Sequence, residues 1–526
     1  MSNTEIIPKK SPYIMGIDLG TSNSAIAVFL KGQAEIIPIE SSKTFPSVFA
    51  MRNGEKVVGR QARARQMIDP DNTVSSIKRE IGGSWTKEFN DKPGEVYTPT
   101  DISAEILLQL VLKAEQEHTV EWGGTPKYAV ICIPANFNDT QKTATIEAGK
   151  LASLEVLYLL EEPVAAAMAY AMEKERDQTI LVYDLGGGTF DVSILQVDSS
   201  KGETPEFKIL AKEGVPKLGG DDFDYKIMEI AAEKFKNDSG VDILDLKKDQ
   251  GIKTKWIREA QQKLQEAAET AKCELSESQT ATIFIPNLIK DESGNVHNLE
   301  MDIARREFND AISGLIEQSK EAVDKALASA KLGIEDISRI ILVGGSTRVP
   351  LVKEMLTKMF DKEPYSDTDP DTAVARGAAI FAASLNVPGT EPEERLEKDK
   401  IEPIILTNIV THFLGIETAG GKFNCLIDKG KDIPADAPLT YSKEYTTPRD
   451  NITELAIRVY QSDRTVEYLR KEEGVECIGE FFLTGIPSKA RGEERINVTF
   501  EINQQNLLKV SATSSGSAQD LEIKRS

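Results

Sequence analysis

One short pattern occurs twice in this 526-residue chain. Ile14-Met15-Gly16-Ile17-Asp18-Leu19-Gly20-Thr21-Ser22 is echoed by Ile180-Leu181-Val182-Tyr183-Asp184-Leu185-Gly186-Gly187-Gly188-Thr189. Each copy is an apolar strand, then Asp-Leu-Gly, a tight turn bearing hydroxyls, and a returning strand (Ala25 to Val28; Val192 to Leu195). Glycines let backbone N–H groups come close to a phosphate, and the hydroxyls add donors. A lone Asp-Leu-Gly is an ordinary turn more often than not. Two matched copies between apolar strands point instead to duplicated lobes gripping one nucleotide from both sides. No GxxxxGK[ST] and no GxGxxG occurs, so neither of the commoner phosphate loops explains these glycines.

The Asp that closes each strand, Asp18 and Asp184, can hold Mg²⁺ through its waters, which suits a cation that dehydrates reluctantly. A third glycine turn, Gly344-Gly345-Ser346-Thr347-Arg348, follows the apolar run 340–343 and leads into a helix near Pro350. Strand ends of α/β sheets are where ligands sit, so this turn is a candidate base-and-sugar wall. On the helical stretch 255–272 and its end, Glu269, Lys272 and Ser276 fall at i, i+3 and i+7. One face then offers an acceptor, a donor and a hydroxyl to a purine nucleoside. Without the glycine turns, a solvated i,i+3 salt bridge would be the better reading.

Composition narrows the function classes. The 63 Lys and Arg against 85 Asp and Glu leave a net charge of −22, unsuited to nucleic acid or anionic lipid. Cys132, Cys273, Cys425 and Cys477 form no CxxC pair, and with His118, His297 and His412 they build no zinc constellation. Met1 to Lys10 has no apolar leader region, and no run of about 18 apolar residues occurs. A cytoplasmic protein with reduced thiols is expected.

Before about residue 390, strand-like runs alternate with long helical ones, the α/β signature. Asp101 to His118 reads as a helix with Ile102, Ile106, Leu110 and Leu112 on its apolar side. Asn138 and Gln141 have capping-box spacing before a helix over 140–151. The helix over 255–272 carries Ile257, Ala260, Leu264, Ala267 and Ala271 on one stripe. The segment 388–403, rich in Pro and charge, reads as an exposed connector. The apolar run Ile404-Ile405-Leu406 beside it suits a docking segment or the first strand of a following domain equally well. After residue 410 the period becomes two, as in Leu455, Ile457 and Val459, or Ile496, Val498, Phe500 and Ile502, predicting an antiparallel β-sandwich. The expected divisions are a disordered 1–10, an α/β domain over 11–385, a linker over 386–409 and the β domain over 410–526.

At these residues the chain resembles the DnaK-type heat-shock chaperones, the seventy-kilodalton family. The matching stretches are GIDLGTSNS (16–24), IKREIG (77–82), IPANFNDTQ (133–141), EEPVAAAMAY (161–170), DLGGGTFDVSI (184–194), LGGDDFD (218–224), AKCELS (271–276), LVGGSTRVP (342–350), DPDTAVARGAAI (369–380) and FLGIETAGG (413–421). They run in family order over nearly the whole chain. The resemblance implies an actin- and sugar-kinase-like two-lobed ATPase domain followed by an antiparallel β-sandwich that binds peptide. It implies ATP and ADP as ligands with Mg²⁺, K⁺ being a further candidate.

Carried over position by position, Gly20, Thr21, Ser22, Gly186, Gly187, Gly188 and Thr189 would hold the phosphates, and Asp18 and Asp184 would order the metal. Lys78 would reach the γ-phosphate, with Glu162 and Asp191 near the attacking water. Gly219, Gly220, Glu269, Lys272, Ser276, Gly344, Gly345, Ser346, Arg348 and Asp371 would frame the nucleotide. Phosphoryl transfer to water needs mainly positioning and charge stabilisation, so slow, timer-like hydrolysis is expected. Partners implied are unfolded or extended polypeptides, a J-domain co-chaperone and a nucleotide exchange factor.

The departures concern coupling. The family's proline–arginine relay keeps Pro134 but has Lys142 for the arginine, losing the planar fork. Leu157 and Tyr158 replace a basic pair before the Glu-Pro step, and the linker's acidic position is neutral in Ile404-Ile405-Leu406-Thr407-Asn408. Stimulation by a J-domain partner is therefore expected to be weak or to use altered partners. The stretch between Gly82 and Asp101 is short, implying a trimmed lobe. Ile416, Tyr445, Leu455 and Ile457 resemble the peptide pocket, with Ala419 and Pro448 at the arch positions. Main-chain pairing at a strand edge is a second route to peptide binding. With the last strand close to Ser526, no helical lid is expected. A coupled chaperone is the leading reading. A nucleotide-gated scaffold or co-chaperone is the second, and a sugar kinase or filament-forming relative the third.

Overall fold

The computed structural model describes residues 11, 13–66, 68–118, 127–171, 178–198, 206–245, 254–290, 294–365, 369–386, 401–469, 474–515 and 517–521. The expected disordered N-terminus and most of the proline-rich connector lie outside them.

The repeated pattern becomes a repeated sheet. Strand Ile14–Asp18 runs parallel to Tyr128–Ile133 and antiparallel to Asn23–Leu30. Its counterpart Gln178–Leu185 runs parallel to Arg339–Val343 and antiparallel to Phe190–Asp198. The first sheet continues outward through Glu155–Glu161 on one side and Gln33–Ile36 on the other, and the second through Glu206–Val215. Each central strand is almost wholly apolar because both its faces are covered.

Between the sheets cross two alanine-rich helices, Glu162–Ala171 and Ala373–Ser384. Small side chains let them pack closely and fuse the sheets into one core that includes Ile14, Val130, Ile180 and Val182. Gly377 is the tightest point, since a Cβ there would lie 1.7 Å from the Ala165 carbonyl oxygen. Outside this junction each sheet packs its own helices. Pro99–His118 covers the first sheet, while Gly220–Ser239, Thr254–Glu277 and Arg305–Ala330 serve the second.

Local signals in the sequence are visible in the elements. Asn138 and Gln141 form the expected reciprocal capping box before Asp139–Leu151. Thr98 and Asp101 exchange similar bonds, so their helix starts at Pro99, two residues earlier than expected. On that helix Leu112 is a correction: it is exposed, and Leu107 and Val111 are buried instead. Two positions beyond Leu110 is about 200° around a helix, away from the core. On Thr254–Glu277 the fully buried position is Ala268, whereas Ala267 is only partly covered.

From residue 413 two four-stranded antiparallel sheets face one another. Phe413–Thr418, Lys422–Ile427, Glu454–Ser462 and Val475–Thr484 make one, and Leu439–Thr446, Arg495–Ile502, Leu508–Ser514 and Ser517–Leu521 the other. Alternate residues such as Ile457, Val459, Val498 and Phe500 fill the shared core.

The apolar run after the connector resolves between its two readings. Ile405–Ile409 adds in parallel to the edge strand Glu206–Val215, Leu406 opposite Phe207, and so extends the second α/β sheet. Leu406 and Ile409 are buried beside Phe207, Ile209 and Val197. The same strand pairs with Asp432–Ile433, which joins it to the β-sandwich side. Since Gly377 meets backbone and not a movable side chain, Gly377→Ala must push the crossing helices apart. It is expected to cost about 3 kcal/mol, read by urea denaturation.

Candidate functional site

The ends of both Asp-Leu-Gly strands open into one cavity of about 680 Å³ between the two sheets. It is lined by Asp18, Gly20, Thr21, Ser22, Lys78, Glu162, Asp184, Gly186, Gly187, Thr189, Gly220, Glu269, Lys272, Ser276, Gly344, Gly345, Ser346, Arg348 and Asp371. Nineteen positions spread from 18 to 371 thus converge where the repeat predicts a nucleotide.

Glycine keeps the loops close where they meet. A Cβ on Gly187 would lie 2.1 Å from Ser22 Oγ, so any larger residue would have to displace that hydroxyl where the two turns approach across the cleft. The 186–188 turn is held from behind by the start of the helix Gly220–Ser239. The Gly220 and Asp221 N–H groups donate to the Gly186 and Gly187 carbonyls at 2.9 and 2.8 Å. Gly344 sits at φ +81 with its Cα facing the Leu185 carbonyl, and Ser346 Oγ donates to the Gly186 carbonyl at 2.8 Å. The third glycine turn is thereby stitched to the second.

At the cavity floor Lys78 is buried and its Nζ donates to Glu162 Oε1. Burial opposes the ammonium, but Glu162, Asp18 and Asp184 outweigh it and hold the lysine above its ordinary range. The carboxyls show the opposite strain. Burial first, then Glu162, pushes Asp18 up to about 7, with Lys78 pulling back. Asp184 is driven well above the usual carboxylate range by burial, Glu162 and Asp191. Its Oδ2 is buried with no hydrogen-bond partner. Unneutralised carboxylates flanking an orphaned oxygen suit a divalent cation. Among the described residues no group of three or more His, Cys, Asp or Glu converges as a direct metal cage. Asp18 and Asp184 therefore fit the ordering of a hydrated cation better than a dehydrated one.

The far wall carries the adenosine candidates. Lys272 Nζ lies 2.8 Å from Asp224 Oδ1, and Ser276 Oγ donates to the Lys272 carbonyl one turn back. Arg348 Nη2 spans Asp369 and Asp371 at 2.9 and 2.8 Å, at the rim of the cavity.

Three expected residues stand behind the cavity instead of lining it. A Cβ on Gly188 would strike Arg79 Nε and Thr21, and one on Gly219 would strike the Gly187 carbonyl, so both serve packing of the turns. Asp191 pairs across the strands with Asp184 and accepts from Asn136 Nδ2 at 2.9 Å. Burial and Glu162 push its carboxyl up to about 7.

Sequence reasoning missed the cross-cleft clasps. Arg79 donates to the Gly187 carbonyl and to Asp222, and Arg63 donates to Glu269 at 2.5 Å. Arg79 directly follows Lys78 and was within reach of the same motif. Arg63, on the short helix Arg60–Gln66, carries no local signal. In the β-sandwich, Ile416 and Ile457 are buried in the core, while Tyr445 and Leu455 are only partly covered. Tyr445 reaches between the sheets to Asn424 Oδ1 at 2.6 Å.

Comparison with known proteins agrees over nearly the whole chain. The family model described as Hsp70 protein matches residues 14–526. Proteins named Chaperone protein DnaK from Thermotoga neapolitana, Thermotoga petrophila and Thermotoga maritima are each 42% identical over 517 residues. The match spans 97% of this chain and 80% of each relative. If Asp18 and Asp184 order a cation against nucleotide phosphates, chelating divalent ions should weaken ADP binding about tenfold or more, measured by calorimetry. Unchanged affinity in chelator would remove that duty from the pair.

Proposed function

The chain belongs to the Hsp70 family, and we propose that its ATP-dependent chaperone function works through the division of labour that follows. Residues 11–385 act as a two-lobed ATPase of the actin and sugar-kinase kind. Residues 386–409 link it to a peptide-binding sandwich over 410–526. Nucleotide state at the first sets peptide affinity at the second.

The observation carrying the catalytic half is the buried cluster beneath the glycine turns. Lys78 lies against Glu162 within a ring that also holds Asp18, Asp184 and Asp191. Gly20, Thr21, Ser22, Gly186, Gly187 and Thr189 would bind the phosphates through N–H and hydroxyl donors. The Lys78 ammonium would stabilise charge growing on the γ-phosphoryl oxygens, and its bond to Glu162 fixes both side chains. Glu162 would orient the attacking water and accept its proton, with Asp191 supporting from behind. Mg²⁺, when bound, supplies neutralisation of phosphate charge. Glu269, Lys272, Ser276, Gly345, Ser346 and Arg348 would frame the adenosine. No helix among the described residues is long and apolar enough to cross a membrane.

Coupling is supported by contacts that do not depend on the neutral linker position. Lys142 is buried and donates to the Asn506 carbonyl at 2.9 Å, joining the relay helix to the turn between two sandwich strands. Burial lowers its ammonium to about 8, opposed by Asp139 and Glu161. Tyr158 OH donates to the Gln504 carbonyl, and Gln505 bonds the backbone of Leu159 and Leu157. The relay lysine and the Leu157-Tyr158 pair are therefore occupied by the sandwich itself. That occupation also supports reduced stimulation by a J-domain partner, which would need a free surface. One observation favours the scaffold reading: Ile416 and Ile457 are spent on the sandwich core.

Two measurements decide. Lys78→Ala should reduce single-turnover hydrolysis at least about a hundredfold while nucleotide remains bound; normal turnover would refute its assigned role. A fluorescent apolar peptide should bind about tenfold or more tightly with ADP than with ATP. Equal affinities would favour the scaffold.

A further inference from the structure

Where the linker strand meets the α/β sheet, three polar side chains are buried together. Lys212 Nζ donates to Glu161 Oε1 at 2.6 Å and to Asn408 Oδ1 at 2.5 Å, and Asn408 Nδ2 donates to Glu161 Oε1 at 3.2 Å. The Asn408 oxygen also accepts the Ile409 N–H at 2.8 Å. The Lys212 and Glu161 side chains are 2% and 5% exposed. Sequence reading placed the linker contact on a charged position and a basic pair, both neutral here. The structure places it on two other residues.

The chemistry of this pocket is selective. Glu161 and Lys212 already cancel each other's charge, so a third buried group must be neutral to avoid an uncompensated ion. It must also accept from an ammonium and donate to a carboxylate at once, which a side-chain amide does. Asp191 and the ammonium of Lys142 also act on this pair, so an aspartate at position 408 would set a third carboxylate, beside Glu161 and Asp191, against the two ammoniums of Lys212 and Lys142. An aliphatic residue would leave the ammonium short of an acceptor. The Glu161 Oε2 atom has no hydrogen-bond partner, so no spare donor stands ready to absorb a second negative charge there.

The pocket also touches the catalytic cluster through the chain. Glu161 closes the strand Glu155–Glu161, and the next residue is Glu162, the partner of Lys78. Lys212 lies opposite Ser193 on the neighbouring strand, two residues from Asp191 and on its face of the sheet. The charges on Glu161 and Asp191 also act on one another.

We propose that the Glu161–Lys212 pair is a receptor for the side-chain amide of Asn408, and that seating the amide positions Glu162 beside Lys78. Asn408, Glu161 and Lys212 are then positioning residues, and the linker is recognised by a neutral group where a charged one would be rejected. The inference rests on the coupled reading of the two domains.

The test is a charge-balanced pair of variants in the full chain, read by interdomain FRET with ATP and with ADP and by single-turnover kinetics. Asn408→Asp should shift the docked-to-undocked ratio at least about tenfold toward undocked. It should lower kcat and leave the KM for ATP within about twofold, a split that general destabilisation would not produce. Adding Glu161→Gln restores one positive and one negative charge plus one amide, and should recover most of the docked population and of kcat. Wild-type docking in Asn408→Asp, a double variant no better than the single, or loss of nucleotide affinity in Asn408→Asp would each overturn the receptor. A wild-type chain docked equally with ATP and ADP, and still undocked by Asn408→Asp, would sink the coupled reading and uphold the receptor.

Discussion

The rest of this structure depends on an imbalance of charge at the point where its two sheets meet. Asp18, Glu162, Asp184 and Asp191 are drawn together around Lys78, and burial drives Asp18 and Asp191 up to about 7. A buried cluster of carboxylates beside one ammonium is costly by itself and becomes favourable only when a cation completes it. The protein tolerates the arrangement because the two halves are fused elsewhere by alanine-rich helices packed into a shared apolar core. Stability is supplied at this junction, and electrostatic demand is concentrated in the cleft.

That division explains the use of glycine. At Gly187 the absent Cβ lets backbone meet the Ser22 hydroxyl across the cleft, and at Gly219 it lets the start of the helix back onto the Gly187 carbonyl. At Gly377 it lets two helices touch. The first kind holds a site open to a ligand, and the second closes a core. Arg63 and Arg79 then span the cleft from one lobe to the other, so the walls are tied by ion pairs that a nucleotide can rearrange at modest cost.

Much of the site was legible because its residues lie at strand ends in short, glycine-marked motifs. Asp18 and Asp184 sit in such stretches, Lys78 lies in a short turn and Glu162 opens a helix after a strand, and all four reach the cavity. Gly188, Gly219 and Asp191 belong to the same stretches yet stand behind the wall, since a motif specifies a turn without saying which side of it faces the ligand. Leu112 failed for a simpler reason, a two-residue step on a helix with 3.6 residues per turn. In the sandwich, period-two alternation located the strands correctly. It could not separate Ile416 and Ile457, turned to the core, from residues free to meet a peptide.

By itself the sequence determined the repeated strand-and-glycine-turn pattern, the capped helix after Asn138 and the change to a β-sandwich, because each is written in local spacing or in repeated motifs. Only the tertiary structure decided what Ile405–Ile409 does. An apolar run of that length pairs with whichever sheet edge offers both free backbone groups and a matching pocket. Here the edge is Glu206–Val215, and the pocket is polar at its end, where Lys212 and Glu161 meet Asn408. Residues 161, 212 and 408 lie too far apart in the chain for spacing to relate them, so their charge balance is settled only once the fold brings them together.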